Sequence, residues 1–434
     1  MIDSGLFQGL KELRLRNWRR LPIEPADLDA VVITHAHLDH CGYLPRLVKD
    51  DFRGRIHLTE NTAKLAAVVL RDSARIQTED AKYAAKEGFS KHNPPLPLYD
   101  EHDANQAINQ FQSHPFGQRI KVAEQTFVTF YPAGHILGAA FLHVEFFGKN
   151  LIFSGDLGRD NHPLLVHPAA IPQLALDAIV TESTYGDREH IEAGTDFVET
   201  INKTLDRGGS VLIPAFAVDR TEVILVALRE LMDAGKIRRV PVYADSPMAL
   251  AALSFYREAI QDSDAEIRQD VITGWKDADP FDPGTLVELP TVEDSKTIND
   301  PQQPSIIISA SGMATGGRVV HHLKDMLPNP RHTILLVGYQ AIGTRGRRLV
   351  DGEKYIKMHG REIEVRAEIG QIESFSVHAD ATELIAWIAK LKEPPKRVFV
   401  VHGEAGSSDV FADRIKSELG WKAFVPNDGQ VVEL

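Results

Sequence analysis

Thr34-His35-Ala36-His37-Leu38-Asp39-His40 is the stretch from which the rest of the chain is read. It follows the apolar run Ala30-Val31-Val32-Ile33 and precedes Gly42-Tyr43-Leu44-Pro45-Arg46-Leu47. The first run, rich in β-branched residues, predicts a buried strand, and the second the start of a helix. The polar residues between them therefore lie at the carboxyl end of a strand, where α/β folds place their sites. Imidazole and carboxylate are the ligands that zinc and similar borderline metals prefer. His35 and His37, two apart in extended chain, share a direction. Asp39 and His40, at the bend, are free to face elsewhere, so one strand end can feed two metal ions. A solvated polar loop is the alternative, but lone surface histidines do not usually cluster in this spacing.

Composition sets the frame for that loop. At 434 residues the chain exceeds one ordinary core, so two domains are expected. It is 43% hydrophobic and 25% charged, within the range of soluble globular proteins. No apolar run approaches the roughly 18–20 residues of a membrane span. The start, Met1-Ile2-Asp3-Ser4-Gly5, lacks the basic and apolar regions of a signal peptide. A single cysteine, Cys41, excludes an internal disulfide and suits a reducing cytoplasm. A net charge of −13 argues weakly against purely electrostatic binding of nucleic acid. Two local basic runs stand against it: Lys11, Arg14, Arg16, Arg19 and Arg20, then Arg345, Arg347 and Arg348. Each reads more readily as a solvated face.

Strands are expected at 55–58, 120–122, 126–130, 140–144, 151–153 and 178–181, with a helix from Asn61 to about Glu87. The polar, proline-containing residues 88–105 read as an excursion. After Gly186 the pattern becomes α/β alternation. A strand at 210–214 leads to Asp219-Arg220-Thr221-Glu222, which has the form of a capping box. Ser246-Pro247 reads as a helix start. Residues 261–304 are expected to wrap the surface. Strands at 305–309 and 333–338 flank a helix from Arg318 to Met326, and short strands resume near 362, followed by a helix over 382–391.

Further ligand candidates repeat the opening logic. Polar residues follow strands at Gly134-His135, Gly155-Asp156, Glu182, His378-Ala379-Asp380 and His402-Gly403-Glu404. Singly, each could be a satisfied buried side chain; together they suggest one shared rim. This set, in this order, closely resembles the metallo-β-lactamase superfamily, in particular its β-CASP branch of nucleases. Asp3 looks like the first motif. His35, His37, Asp39 and His40 look like the second, His135 the third and Asp156 the fourth. Glu182, His378 and His402 stand where the three β-CASP motifs belong.

That resemblance implies an αββα metallo-β-lactamase sandwich with an inserted α/β β-CASP domain. The expected boundaries are 1–186 and 359–434 for the sandwich and 187–358 for the insert. It implies two Zn²⁺ ions per chain, one on His35, His37 and His135, the other on Asp39, His40 and His402, with Asp156 bridging. A histidine at the last motif is the pattern of RNA-cleaving members. The implied activity is zinc-dependent hydrolysis of RNA phosphodiester bonds, endonucleolytic with a 5′→3′ exonucleolytic mode left open, leaving 5′-phosphate and 3′-hydroxyl ends. Asp39 would orient the attacking water, Asp3 would support the ligands, and His378, set by Glu182, would protonate the leaving O3′. Single-stranded RNA is the expected partner; related enzymes often dimerise, so a homodimer is an open expectation.

For RNA contacts, Ser311, Gly312, Gly316 and Gly317 precede a helix whose N-terminus could bind phosphate, with a tight turn as the equal alternative. Arg220 could reach phosphate, and Tyr185 could stack a base; Phe216 reads better as core. Family members carry about a strand pair ahead of the first-motif aspartate, whereas Asp3 is third here. The N-terminal strands are therefore expected to be missing, leaving an unpaired sheet edge. Two other readings are a small-molecule hydrolase of the same fold and a non-catalytic RNA-binding subunit. The long stretch after the fourth motif counts against the former, and the filled ligand positions against the latter.

Overall fold

The computed structural model describes residues 1–88, 95–190, 195–275 and 278–434. Part of the expected excursion at 88–105 falls outside these residues; its end does not. There Asp100 caps a helix over Glu101–Ile108 in a reciprocal capping box with Asp103, a signal the polar composition concealed.

Two sheets form the half that carries the histidine loop. Strands Ala30–Val32 (β1), Arg55–Thr59 (β2) and Phe111–His114 (β3) run parallel in one. Arg119–Ala123 (β4), Thr126–Pro132 (β5), Ala140–Phe146 (β6), Lys149–Phe153 (β7) and Ala178–Thr181 (β8) belong to the other. The sheets face each other through Val32, Ile120, Val128, Phe130, Leu142 and Val144. Glu60–Glu87 (α1) starts at Thr59, whose hydroxyl accepts from the Thr62 amide, and stops at Gly88 in the left-handed region. Glu101–Ile108 (α2) packs beside it. The edge of β1 opposite β2, expected to be open, is met by residues 1–3. Ile2 bridges Val32, and Val32 N–H donates to Met1 O at 2.9 Å.

The insert is a six-stranded sheet, parallel at every paired step. Its strands are Val211–Pro214 (β9), Val242–Asp245 (β10), Leu286–Glu288 (β11), Ile306–Ser309 (β12), Thr333–Val337 (β13) and, after the hairpin Tyr355–Met358 (β14) and Arg361–Glu364 (β15), Glu368–Ile372 (β16). The order is β11-β10-β12-β9-β13-β16. This sheet therefore takes its last strand from beyond residue 358, where the boundary was expected. Residues 261–304 do more than wrap: they supply the edge strand β11. Helices Arg220–Asp233 (α3), Pro247–Gln261 (α4) and Val319–Met326 (α5) belong to the same unit. Ser246 caps α4 as expected, its hydroxyl accepting from the Ala249 amide.

Asp219 does not cap α3. It sits at φ 70° with no side-chain cap bond, because its carboxylate is taken by His162 and Tyr256. The capping-box pattern is real in sequence but a tertiary network outcompetes it. The chain then returns through Ala381–Ile388 (α6), capped reciprocally by Asp380 and Glu383, to Val398–Val400 (β17) and Ala423–Phe424 (β18), which complete the seven-stranded sheet. Among the described residues no helix is long and apolar enough to cross a membrane.

Candidate metal centre

The carboxyl ends of β1, β5, β7, β8 and β17 converge on one rim. The polar side chains that follow these strands line the rim, from fully buried His35 to exposed Asp39. His35, His135, Asp156 and Glu182 are at most 2% exposed.

Two donor clusters lie on this rim. In the first, His37 Nδ1 is 3.1 Å from His35 Nε2 and 3.3 Å from His135 Nε2. Asp156 Oδ2 lies 3.5 Å from His35 Nε2 and 3.7 Å from His135 Nε2. In the second, His40 Nε2 and His402 Nε2 are 2.9 Å apart, and Asp39 Oδ2 is 3.5 Å from the latter. Asp156 Oδ1 stands 3.3 Å from His40 Nε2 and 3.3 Å from His402 Nδ1. Thus one oxygen of Asp156 faces each cluster. Donors sharing a tetrahedral zinc at about 2.0–2.1 Å are separated by roughly 3.4 Å, and most of these spacings fall near that value. Asp156 Oδ1, though buried, makes no hydrogen bond; its lone pairs point at a common centre rather than at a donor.

The supporting contacts fix which ring atoms face that centre. Asp3 Oδ1 accepts from the Thr34 amide at 2.8 Å, and Oδ2 accepts from Thr34 Oγ1 at 2.8 Å. Asp3 Oδ2 also lies 2.7 Å from His40 Nδ1, so that nitrogen carries the proton and Nε2 is left as a ligand atom. Thr34 Oγ1, already donating to Asp3, accepts from His35 Nδ1 at 3.1 Å, which leaves His35 Nε2 free in the same way. Glu182 Oε1 accepts from the Leu157 amide at 2.5 Å, and its Oε2 faces His378 Nδ1 at 3.4 Å. That pair is in ion-pair range without hydrogen-bond geometry; neither atom makes a hydrogen bond, and His378 Nδ1 also lies 3.8 Å from Asp156 Oδ2. Glu182, expected to set His378, thus faces it closely without a hydrogen bond.

The clusters differ electrically. Burial pulls His35 and His135 well below their ordinary pKa and His37 down to about 4, leaving neutral imidazoles. Burial acts the same way on His40 and His402 but is outweighed, first by Asp156: His40 rises well above its ordinary value and His402 to about 9. The carboxylates around the second cluster therefore favour positive charge on its imidazoles, unlike the first.

The expected RNA contacts fare unevenly. Loops after β9, β12 and β13 open toward the same rim, at the carboxyl ends of parallel strands. Phe216, expected in the core, is half-buried with its ring 6.2 Å from His37. Tyr185 is 2% exposed and packed on His190 and His378, so it offers no open face for a base. Gly312 lies so close to Phe216 that a Cβ would clash, whereas Gly316 borders open space and Gly317 adopts φ 77°. Ser311 Oγ pairs with Thr315 Oγ1 at 2.9 Å. Arg220 is 5% exposed, lies against Gly338, and its Nε and Nη1 have no partner. Arg345, Arg347 and Arg348 are committed elsewhere, to backbone carbonyls, Asp351 and Glu353.

Sequence reading missed several contributors. His190 Nε2 lies 2.8 Å from the carbonyl of His378, and the His190 amide donates to Asp380 Oδ2 at 2.8 Å. Ser154 Oγ accepts from the Glu182 amide. His190 follows no strand at a ligand-like spacing, whereas Ser154 directly follows β7 beside the Asp156 motif.

Histidines and carboxylates gathered at strand ends, with matched supports, define a metal-dependent hydrolase centre. Three domain profiles match: the metallo-beta-lactamase superfamily over residues 1–193, the Beta-Casp domain over 221–349, and a Zn-dependent metallo-hydrolase RNA specificity domain over 362–426. A protein named as a ribonuclease from Thermus thermophilus is 35% identical, covering 93% of this chain and 87% of its own. An RNase J-like protein of Methanocaldococcus jannaschii is 32% identical, covering 100% and 94%. A transcription termination factor of the same organism is 31% identical over 98% of this chain, which spans 66% of that longer relative. The chain belongs to the β-CASP branch of the metallo-β-lactamase superfamily.

Proposed function

We propose that this chain hydrolyses phosphodiester bonds of single-stranded RNA with two zinc ions, in the cytoplasm. The observation that carries the reading is Asp156: its two carboxylate oxygens divide between two donor clusters. His35, His37, His135 and Asp156 would hold one ion, and Asp39, His40, His402 and Asp156 the other. Bound there, the ions would supply Lewis acidity toward the phosphate oxygens and lower the pKa of water toward neutrality.

The chain's own residues do the rest. Asp39, the most exposed carboxylate of the set, orients the attacking water. His378 presents Nδ1 to Glu182, so Nε2 is the atom that delivers a proton to the leaving O3′. Asp3 and Thr34 keep His40 and His35 in the ligand tautomer. Phosphates run past the loops after β9, β12 and β13, where Arg220 offers an unpaired guanidinium and 311–317 offers backbone N–H groups, while Phe216 offers a ring beside His37. The products carry 5′-phosphate and 3′-hydroxyl ends. The ribonuclease and RNase J-like names of the two relatives matched over most of their length support RNA as substrate.

The test is cleavage of 5′-labelled single-stranded RNA by zinc-loaded protein, beside matched DNA and the Asp39→Ala/His40→Ala double variant. Fragments of intermediate length from RNA alone, absent in the variant, establish an endonuclease; short 5′ products alone establish a 5′→3′ exonuclease. Equal cleavage by the double variant would overturn the proposal.

A further inference from the structure

His135 reaches the first cluster from a tight loop, 133–139, and that loop is held from outside its own sheet. Gly138 adopts φ 84°, and a Cβ there would sit 2.3 Å from the Thr62 amide nitrogen. Its carbonyl accepts from Thr59 Oγ1 at 2.6 Å and Thr62 Oγ1 at 2.7 Å. The Leu137 and Gly138 amides need acceptors as well, because a buried N–H left unpaired is costly. Both acceptors come from the insert. The Leu137 amide donates to Tyr256 Oη at 3.0 Å, and the Gly138 amide donates to Glu266 Oε2 at 2.6 Å.

Each acceptor is itself fixed. Tyr256 Oη donates to Asp219 Oδ1 at 2.6 Å, and His162 Nε2 lies 3.1 Å from Asp219 Oδ2. His162 Nδ1 accepts the Leu164 and Leu165 amides, so Nε2 carries the proton toward Asp219. Glu266 Oε1 accepts from Asn61 at 2.7 Å. The backbone closes the seam: Val166 N–H donates to Glu266 O, and Arg268 N–H to Leu164 O. All of Tyr256, Asp219, His162 and Glu266 are at most 7% exposed.

We propose that Tyr256 and Glu266, both from the insert, are positioning residues for His135, so that the insert completes the metal site as well as covering it. This rests on the reading that His135 binds metal. Tyr256 and Glu266 touch neither ion nor substrate; they set the loop that carries the imidazole. Supports of this kind typically alter metal affinity by about 10–100-fold.

The test uses the full zinc-loaded chain and follows zinc release to a chromogenic chelator, with the visible spectrum of the cobalt-substituted protein as a second readout. Tyr256→Phe should speed release of zinc about tenfold and shift the cobalt bands. Tyr99→Phe, which deletes an equally buried hydroxyl bonded to Ser73 at 2.7 Å, should do neither. Glu266→Ala should behave like Tyr256→Phe, and Glu266→Gln, which still presents an oxygen to Gly138, should restore slow release; this pair decides the matter if Tyr256→Phe does not fold. Release from Tyr256→Phe and Glu266→Ala within twofold of Tyr99→Phe, in a parent that holds zinc, overturns this proposal alone. A parent that holds no zinc overturns it together with the metal reading.

Discussion

Asp156 and Asp245 make an instructive pair. Both are buried carboxylates at or just beyond the carboxyl end of a parallel strand, one after β7 and one closing β10, and both have histidine neighbours. Asp245 is saturated: it accepts from Ser295 Oγ at 2.6 Å and Arg318 Nη1 at 2.7 Å, with His322 Nε2 at 2.6 Å. Its charge is spent on pinning α5 and the 291–298 segment to the sheet. Asp156 has more imidazoles around it yet leaves Oδ1 without a hydrogen bond. A structural carboxylate collects donors; a ligand carboxylate keeps lone pairs aimed at a centre its neighbours also face. Residue type and strand-end placement do not separate the two roles, and partner saturation does.

The comparison breaks most visibly on replacement of each carboxylate by its amide. Asp156→Asn should lower RNA cleavage by on the order of 10³–10⁴-fold, since both donor clusters lose a member. It should also abolish most of the rise in Tm that zinc gives the parent. Asp245→Asn should cost about 3 kcal/mol of stability, because Arg318 loses its buried counter-charge, while keeping both the zinc-induced rise and the activity per folded molecule. Melting curves with and without zinc, beside a cleavage assay, check both. An Asp245→Asn variant that folds stably but loses zinc would erase the distinction.

Glu182 and His378 fall between those poles, and their pairing at 3.4 Å makes the next largest effect. Glu182→Gln and His378→Ala should each reduce kcat by about 10²–10³-fold, within the range of general acid catalysis, with zinc content near that of the parent. A substrate whose leaving atom is sulfur needs no proton at that position, so it should recover most of the loss. Failure of such a substrate to rescue His378→Ala would remove its proton-donor role.

How much of this was legible follows the same physics. The 34–40 loop and Glu182 follow buried strands almost directly, and His135, Asp156 and His402 follow within three residues, so β-branched and apolar runs marked them as strand-end candidates, whereas His378 lies six positions past the end of β16 and rested on the family pattern. The α/β alternation of the insert was visible for the same reason. What sequence could not give was saturation. Asp219 begins a pattern that reads as a cap, yet its carboxylate goes to partners 37 and 57 residues away. Phe216 and Tyr185 exchanged expected roles because burial of an aromatic ring depends on which strand ends meet. The occupied edge of β1 depends on residues 1–3 adding themselves in parallel, a contact that three residues cannot advertise.

A titration sharpens the comparison further. Glu266 is a third kind of buried carboxylate, with no cationic partner, and burial, helped by the charge of Asp264 beside it, raises its pKa to about 7. A carboxyl raised in the folded state contributes stability that is full below its unfolded value near 4.5 and is lost as pH rises through about 7. The parent should therefore lose roughly 2–3 kcal/mol from this group between pH 5 and pH 8. Glu266→Gln, which does not titrate, should flatten that part of the curve. Denaturant midpoints at several pH values measure it, and an unchanged slope in the variant would place the titration elsewhere.

Arg220 extends the argument from carboxylates to a cation. Like Asp156 it is buried, and like Asp156 it keeps atoms unpartnered; burial lowers its pKa accordingly. An unpaired guanidinium held out of water is a cost to the free protein, so Arg220→Met should leave stability unchanged or raise it. If the guanidinium meets a backbone phosphate, the same variant should bind RNA about tenfold more weakly and lower the salt dependence of binding by about one counter-ion. Binding isotherms with a non-cleavable RNA over a range of salt concentrations read both effects. Lost stability with unaltered binding would instead place Arg220 with Asp245, as a group whose charge serves the fold.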